Sequence, residues 1–308
     1  MIGLGLASSH APASFRPKEK WGVMSQRRNI NIPEPPQLAE ETEEVIENYI
    51  VRIDAAFDIL RRQIEDYQPE ALIIVGDDQY DMFDDSNMPA FSIYTGDEIW
   101  GATSVSYLDD EDVEESIIRT PCHSELANYL LKGLIKKGFD PAYSKKVHAL
   151  GKPNRGAGHA LSFPLHKLVP NFDIPVIPIF LNGYFPPQPT GQRCWDYGVA
   201  IAEVMKDRPE KIAIYASGGL SHDPMGPRSG WIDEPLDRWV LERLEKDKSK
   251  ELTNLFTFDS DTLRSGTGEI RQWITVAGAM DRKATVIDYI PAYHTKTGLG
   301  YVYWPVLD

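Results

Sequence analysis

Residues 71–75, Ala-Leu-Ile-Ile-Val, form a run of strand length without one polar side chain. A strand that faces water on one side alternates apolar and polar residues. A run apolar at every position requires cover on both faces, as in a parallel sheet sandwiched between helices. Further strands are expected at 2–7, 175–181 and 211–216, with later ones at 286–289 and 300–304. Between them, helical spacing recurs. Val45, Ile46, Tyr49, Ile53, Phe57, Leu60 and Ile64 repeat at threes and fours within 38–67, and Pro69 closes that segment. Further helices are expected over 124–137, 194–206, 236–244 and 268–279. Residues 16–37, rich in Arg, Asn and Pro, read as an extended arm or lid. Strands alternating with helices define an α/β fold with a mostly parallel central sheet. The absence of a repeat, linker or low-complexity tract favours one domain over 1–308.

The polar residues of interest follow predicted strand ends: His10, Asp77-Asp78-Gln79, Asn182 and His222. Ligands of open α/β sheets collect outside the carboxyl ends of the strands. His222 lies in Ser-Gly-Gly-Leu-Ser-His-Asp-Pro, where two glycines allow positive φ and close backbone approach. Glu269 opens a predicted helix. Two imidazoles and a carboxylate are the ingredients of a 2-His-1-carboxylate iron site. Either histidine can instead serve as an acid–base group beside the metal.

Composition removes other classes. A net charge of −14 disfavours nucleic acid, and no apolar run is long enough to span a bilayer. Two isolated cysteines and an N-terminus unlike a signal peptide suggest a cytoplasmic protein. The acidic runs Asp84-Asp85 and 109–112 read as solvated loops.

Four segments carry a resemblance: Ser8-Ser-His-Ala-Pro12, the stretch from Phe185 to Cys194, the stretch from Ser217 to Arg228, and Gly268-Glu-Ile-Arg-Gln-Trp273. In this order they resemble the class III (LigB-like) extradiol ring-cleavage dioxygenases. The resemblance implies one α/β domain holding non-haem Fe(II), with O2 as co-substrate and a small catecholic or gallate-like aromatic acid as substrate. His10 and Glu269 match metal ligands, His222 the acid–base histidine, and His159 a second active-site histidine. Thr295 falls near a position that holds the substrate's acidic group. His294, Lys296 and Arg228 are further candidates for substrate contact. A homo-oligomer is expected, with a separate small helical subunit as an option.

One position departs from the pattern. Gln79 stands where the second histidine ligand is expected. Either Gln79 ligates through its amide, or Asp78 or Asp77 takes its place, or a distant histidine such as His294 substitutes, or iron chemistry has been lost. The alternatives to ring cleavage are a metal-assisted hydrolase and a metal-depleted accessory protein.

Overall fold

The computed structural model describes residues 1–109 and 113–307. Strand β1 (Ile2–Ser8) leads through an arm containing α1 (Trp21–Gln26) to α2 (Glu43–Tyr67) and β2 (Ala71–Gly76). There follow β3 (Phe91–Tyr94), β4 (Glu98–Ala102), β5 (Ile117–Pro121), α3 (Ser124–Lys136), β6 (Ala142–Ser144), α4 (His159–Leu168) and β7 (Val176–Leu181). The chain continues through α5 (Gly191–Met205), β8 (Ile212–Ser217), α6 (Glu234–Glu245), α7 (Ile270–Met280), β9 (Thr285–Ala292) and β10 (Thr297–Trp304).

The main sheet runs β6-β3-β7-β2-β8-β1-β10-β9, and β4 and β5 form a separate antiparallel ribbon. The central four strands are parallel neighbours. The flanking pairs β3–β7, β1–β10 and β10–β9 are antiparallel. The fully apolar runs are explained by cover on both faces. Ala71, Ile73 and Val75 enter one core with Ile177, Ile179, Ile212 and Ile214. Leu72 and Ile74 enter the other with Val176, Phe180, Ala213 and Tyr215. The first core is packed by α3, α5 and α7, the second by α2 and α4. The result is a single α/β domain.

Helix α2 ends as expected, with Gln68 in the left-handed region just before Pro69. The arm is less extended than its composition suggests. It contains α1, whose Trp21 is fully buried and donates its indole N–H to the Arg16 carbonyl at 3.2 Å. Of the acidic run at 109–112, Asp109 pairs with Arg16 at 2.6 Å, and the rest lies outside the described residues. Among the described residues, no helix is long and apolar enough to cross a membrane.

The register places the ends of the central strands level. Ser8 sits opposite Ser217, Val75 opposite Ala216, and Gly76 opposite Phe180. The residues that follow therefore emerge together at one edge.

Candidate metal centre

His10 emerges just beyond β1. Its Nδ1 lies 3.0 Å from Ser217 Oγ, and that hydroxyl donates its proton to the Ala160 carbonyl at 2.5 Å. The carbonyl is available because Pro164, four residues on within α4, has no N–H to give it. With the Ser217 proton committed, Ser217 accepts from His10 Nδ1–H. The tautomer is thereby set, and Nε2 keeps its lone pair. Nε2 is buried without a hydrogen-bond partner, 3.5 Å from Glu269 Oε2 and 3.7 Å from Asp77 Oδ1. An imidazole anchored in this way is built to ligate a metal. Ser217→Ala is expected to weaken metal binding by about 10–100-fold, read by competition with a chelator. Unchanged affinity would mean that another contact orients the ring.

Asp77 follows β2 directly. Both its carboxylate oxygens are buried and unpartnered. Glu269, fully buried, accepts the Gly219 N–H at 2.6 Å through Oε2 and the Gln79 amide at 2.9 Å through Oε1. One donor atom from each of His10, Asp77 and Glu269 lies within 4.8 Å of the others. The segment Gly268–Trp273 holds this arrangement. With its amide oriented to satisfy both neighbours, Gln272 accepts the Asp77 N–H at 3.2 Å and donates to the Glu269 carbonyl. Trp273 ties its indole N–H to the Gly218 carbonyl at 2.8 Å. Neither Gly218 nor Gly219 has positive φ. Close approach is what excludes side chains there, since a Cβ on Gly219 would crowd the His222 ring and Thr297.

Two buried carboxylates side by side are unfavourable without a cation. Burial, reinforced by the neighbouring Glu269 charge, pushes the Asp77 carboxyl up to about 8. Burial also opposes the charge on Glu269, but His222 and His10 outweigh it and hold that carboxyl below its usual range. The unpartnered Nε2 and carboxylate oxygens are the donors a divalent cation takes, and imidazole with carboxylate suits iron or a neighbouring transition metal.

The centre opens into a cavity of about 190 Å³ whose wall includes His10, Glu269, His222, His159, Gln79 and Thr295. His222 Nδ1 donates to the Leu220 carbonyl at 2.9 Å, which leaves Nε2 to face Glu269 Oε1 at 3.3 Å. Burial works against a charged His222, but the Glu269 carboxylate prevails and raises it to about 9. His159 opens α4, its ring edge-on to His10 at 4.8 Å between centroids. Burial above all keeps His159 neutral, lowering it to about 4.

The remaining candidates separate. Gln79 lies at the centre as a hydrogen-bond donor to Glu269, and Asp77 completes the cluster in its place. Asp78 is turned away. Its oxygens accept the N–H groups of Asp81, Met82 and Phe83 at 3.1, 2.7 and 3.2 Å. His294 is held by Glu41, with Nδ1 2.6 Å from the carboxylate. Arg228 rests against Asp233 at 3.5 Å and donates to Thr262. Asn182 braces its own turn through the Phe185 N–H and carbonyl. Thr295 reaches the cavity wall. Lys296 is buried with an unpartnered Nζ. Sequence reasoning missed Ser217, Gln272 and Gly219 as supports of the ligands. No sequence signal marked the first, because the helix whose Pro164 frees the Ala160 carbonyl was itself not legible.

An α/β sheet bearing a buried His-Asp-Glu cluster at its carboxyl edge defines a metal-binding protein. A family model described as the catalytic LigB subunit of aromatic ring-opening dioxygenase matches residues 31–303, and the chain belongs to that family. It is 27% identical over 208 residues to a 2,3-dihydroxyphenylpropionate/2,3-dihydroxicinnamic acid 1,2-dioxygenase of Photorhabdus laumondii, covering 67% of this chain and 57% of the relative. It is 30% identical to the enzyme of that name from Klebsiella pneumoniae strain 342, covering 57% of this chain and 51% of the relative. The chain thus matches little more than half the length of these relatives. The crystal structure of uncharacterized protein JW3007 from Escherichia coli K12 superposes with a TM-score of 0.50 at 16% identity, covering 79% of this chain and 91% of that one. This last likeness concerns the fold.

Proposed function

We propose that this protein opens the ring of an aromatic diol acid with O2, using Fe(II) held by His10, Asp77 and Glu269. The observation that carries the reading is the buried His10–Asp77–Glu269 cluster, in which His10 Nε2 and both Asp77 oxygens lack partners, beside a cavity whose wall includes His10, Glu269 and His222. Fe(II) in that cluster supplies the redox capacity that lets a diol react with O2. The protein's own groups do the rest. The Glu269 charge that keeps His222 protonated is the one a bound cation would offset; so relieved, and with Nδ1 tied to Leu220, His222 would take a proton from a diol hydroxyl at Nε2 and later return it. His159, neutral and beside His10, positions the ring without adding charge. Gln79 and the Gly219 N–H fix the Glu269 carboxylate. Thr295 contributes to the wall against which the substrate rests. The size is suitable, because a cavity of about 150 Å³ accommodates benzene. The names of the relatives, which specify catecholic acids, support the substrate class.

The same reading assigns a cytoplasmic location, supported by Cys122 and Cys194, both free and buried. Assembly into a homo-oligomer, with or without a small helical subunit, rests on the family likeness alone.

The test is anaerobic loading with Fe(II), followed by oxygen-electrode and absorbance measurements. The panel is 2,3-dihydroxyphenylpropionate, 3,4-dihydroxybenzoate, gallate and catechol. Oxygen uptake matched to loss of a diol, with a new ring-fission chromophore, is the expected result. Hydrolysis without oxygen demand would replace ring cleavage with metal-assisted hydrolysis. An Fe(II)-loaded protein inert toward the whole panel would point to an accessory role.

A further inference from the structure

Several arginines of this chain grip a carboxylate with the same edge of the guanidinium, Nε together with Nη2. Arg16 holds Asp109 this way at 2.6 and 2.7 Å, and Arg52 holds Asp288 at 2.9 and 2.7 Å. Arg208 on Glu210 and Arg264 on Asp259 repeat the pattern. Arg155 is different. Its side chain is 13% exposed, yet buried Nε and Nη2 have no partner. Its ion pair among the described residues runs from the other nitrogen, Nη1, to Asp81 at 3.7 Å, beyond hydrogen-bond reach. Asp81 is itself engaged by Lys152 at 3.1 Å.

A buried guanidinium edge without an acceptor is costly. Here it belongs to a residue on the wall of the cavity that holds the metal cluster. The surroundings are suited to an anion. Arg27, also on that wall, lies 3.8 Å over the ring of Tyr107. Tyr107 and Arg155 line the same cavity, so both cations border it, and the nearest buried anion is Asp81. Lys296 also has an unpartnered nitrogen, but it is not part of the cavity wall.

We propose that Arg155, whose unpaired Nε–Nη2 edge is closed off in this structure, turns that edge into the cavity to receive the carboxylate of the aromatic acid and so selects acidic over neutral diols. The inference rests on the ring-cleavage reading for the diol end of the ligand. Planar bidentate pairing supplies both the strength and the geometry of this contact.

The test uses full-length Fe(II)-loaded protein with Arg155→Gln and Arg155→Lys. The quantity read is the ratio of kcat/KM for 3,4-dihydroxybenzoate or 2,3-dihydroxyphenylpropionate to that for catechol. Arg155→Gln is expected to lower this ratio about 10–100-fold. Arg155→Lys, which keeps the charge but not the fork, should lower it less. A ratio that does not move, even if all turnover falls, would overturn the proposal and leave Arg155 as a support for Asp81 and His159. A second arm measures calorimetric binding of benzoate and phenylpropionate, which have no diol. Both should bind the wild type and bind Arg155→Gln more weakly by a similar factor. Failure to bind the wild type, or equal binding to both proteins, would also overturn it. If the wild type opens no diol at all, the ring-cleavage reading falls, and the benzoate arm alone decides the carboxylate site.

Discussion

His222→Ala is expected to cut turnover by about 10²–10⁴-fold while the protein keeps its metal. That range is what a positioned proton donor and acceptor contributes. The expectation follows from how the ring is held. Its Nδ1 proton is committed to the Leu220 carbonyl, and its backbone N–H goes to Thr267 Oγ1 at 3.1 Å. Nε2 is the nitrogen left to exchange protons. Gly266 packs against that edge so closely that a Cβ there would overlap the imidazole. Alanine removes the ring but none of the donor atoms of His10, Asp77 and Glu269. Metal content by elemental analysis should therefore match the wild type while oxygen uptake collapses. Loss of metal together with activity would make His222 a ligand. Retained turnover would move the proton transfer to another group.

Much of the architecture was legible from apolar runs, because a strand covered on both faces needs an unbroken run and four such strands form the centre. The short strands β3 and β6 and the ribbon β4–β5 were not legible. They are brief, and their pairing depends on partners distant in sequence. Helix α4 was hidden by Gly158 and Pro164, which read as breakers. The proline is tolerated because the carbonyl it leaves free is taken by Ser217. At the site, His10 and Glu269 could be read from strand and helix ends. Asp77 and Asp78 could not be separated, since both follow the same strand. What separates them is the turn, which consumes the Asp78 carboxylate with three backbone N–H groups and leaves Asp77 free for the cluster. His294 and Arg228 looked available because Glu41 and Asp233, which hold them, are invisible as partners until the chain folds.

Asp77→Asn is expected to move two properties in opposite directions. Without metal, the wild type buries the Asp77 carboxylate beside that of Glu269, with neither Asp77 oxygen hydrogen-bonded. Burial and the Glu269 charge both disfavour its ionised form. At neutral pH the buried carboxyl must take up a proton on folding, a cost that asparagine of the same shape does not bear, so the metal-free variant should be more stable by about 1–4 kcal/mol. The metal-bound state should respond oppositely. A charged oxygen donor is lost from a three-donor cluster, and affinity should fall by at least about 100-fold, the upper end of the effect of removing a mere supporting partner. Thermal melting with and without Fe(II) under anaerobic conditions reads both. Saturating a site at 100 times its Kd adds about 2.7 kcal/mol to the folded state, so the wild type should show a large metal-dependent rise in Tm. The variant should start higher and gain little. A variant that starts lower and still gains the full increment would show that Asp77 holds the loop rather than the metal. The cluster would then be reduced to His10 and Glu269, with Gln79, already 2.9 Å from Glu269, as the nearest side chain able to turn its amide oxygen inward. The expected pattern would instead establish that this edge of the sheet is unstable for the sake of a cation, with two acidic donors and one imidazole where the resemblance called for two imidazoles and one acid.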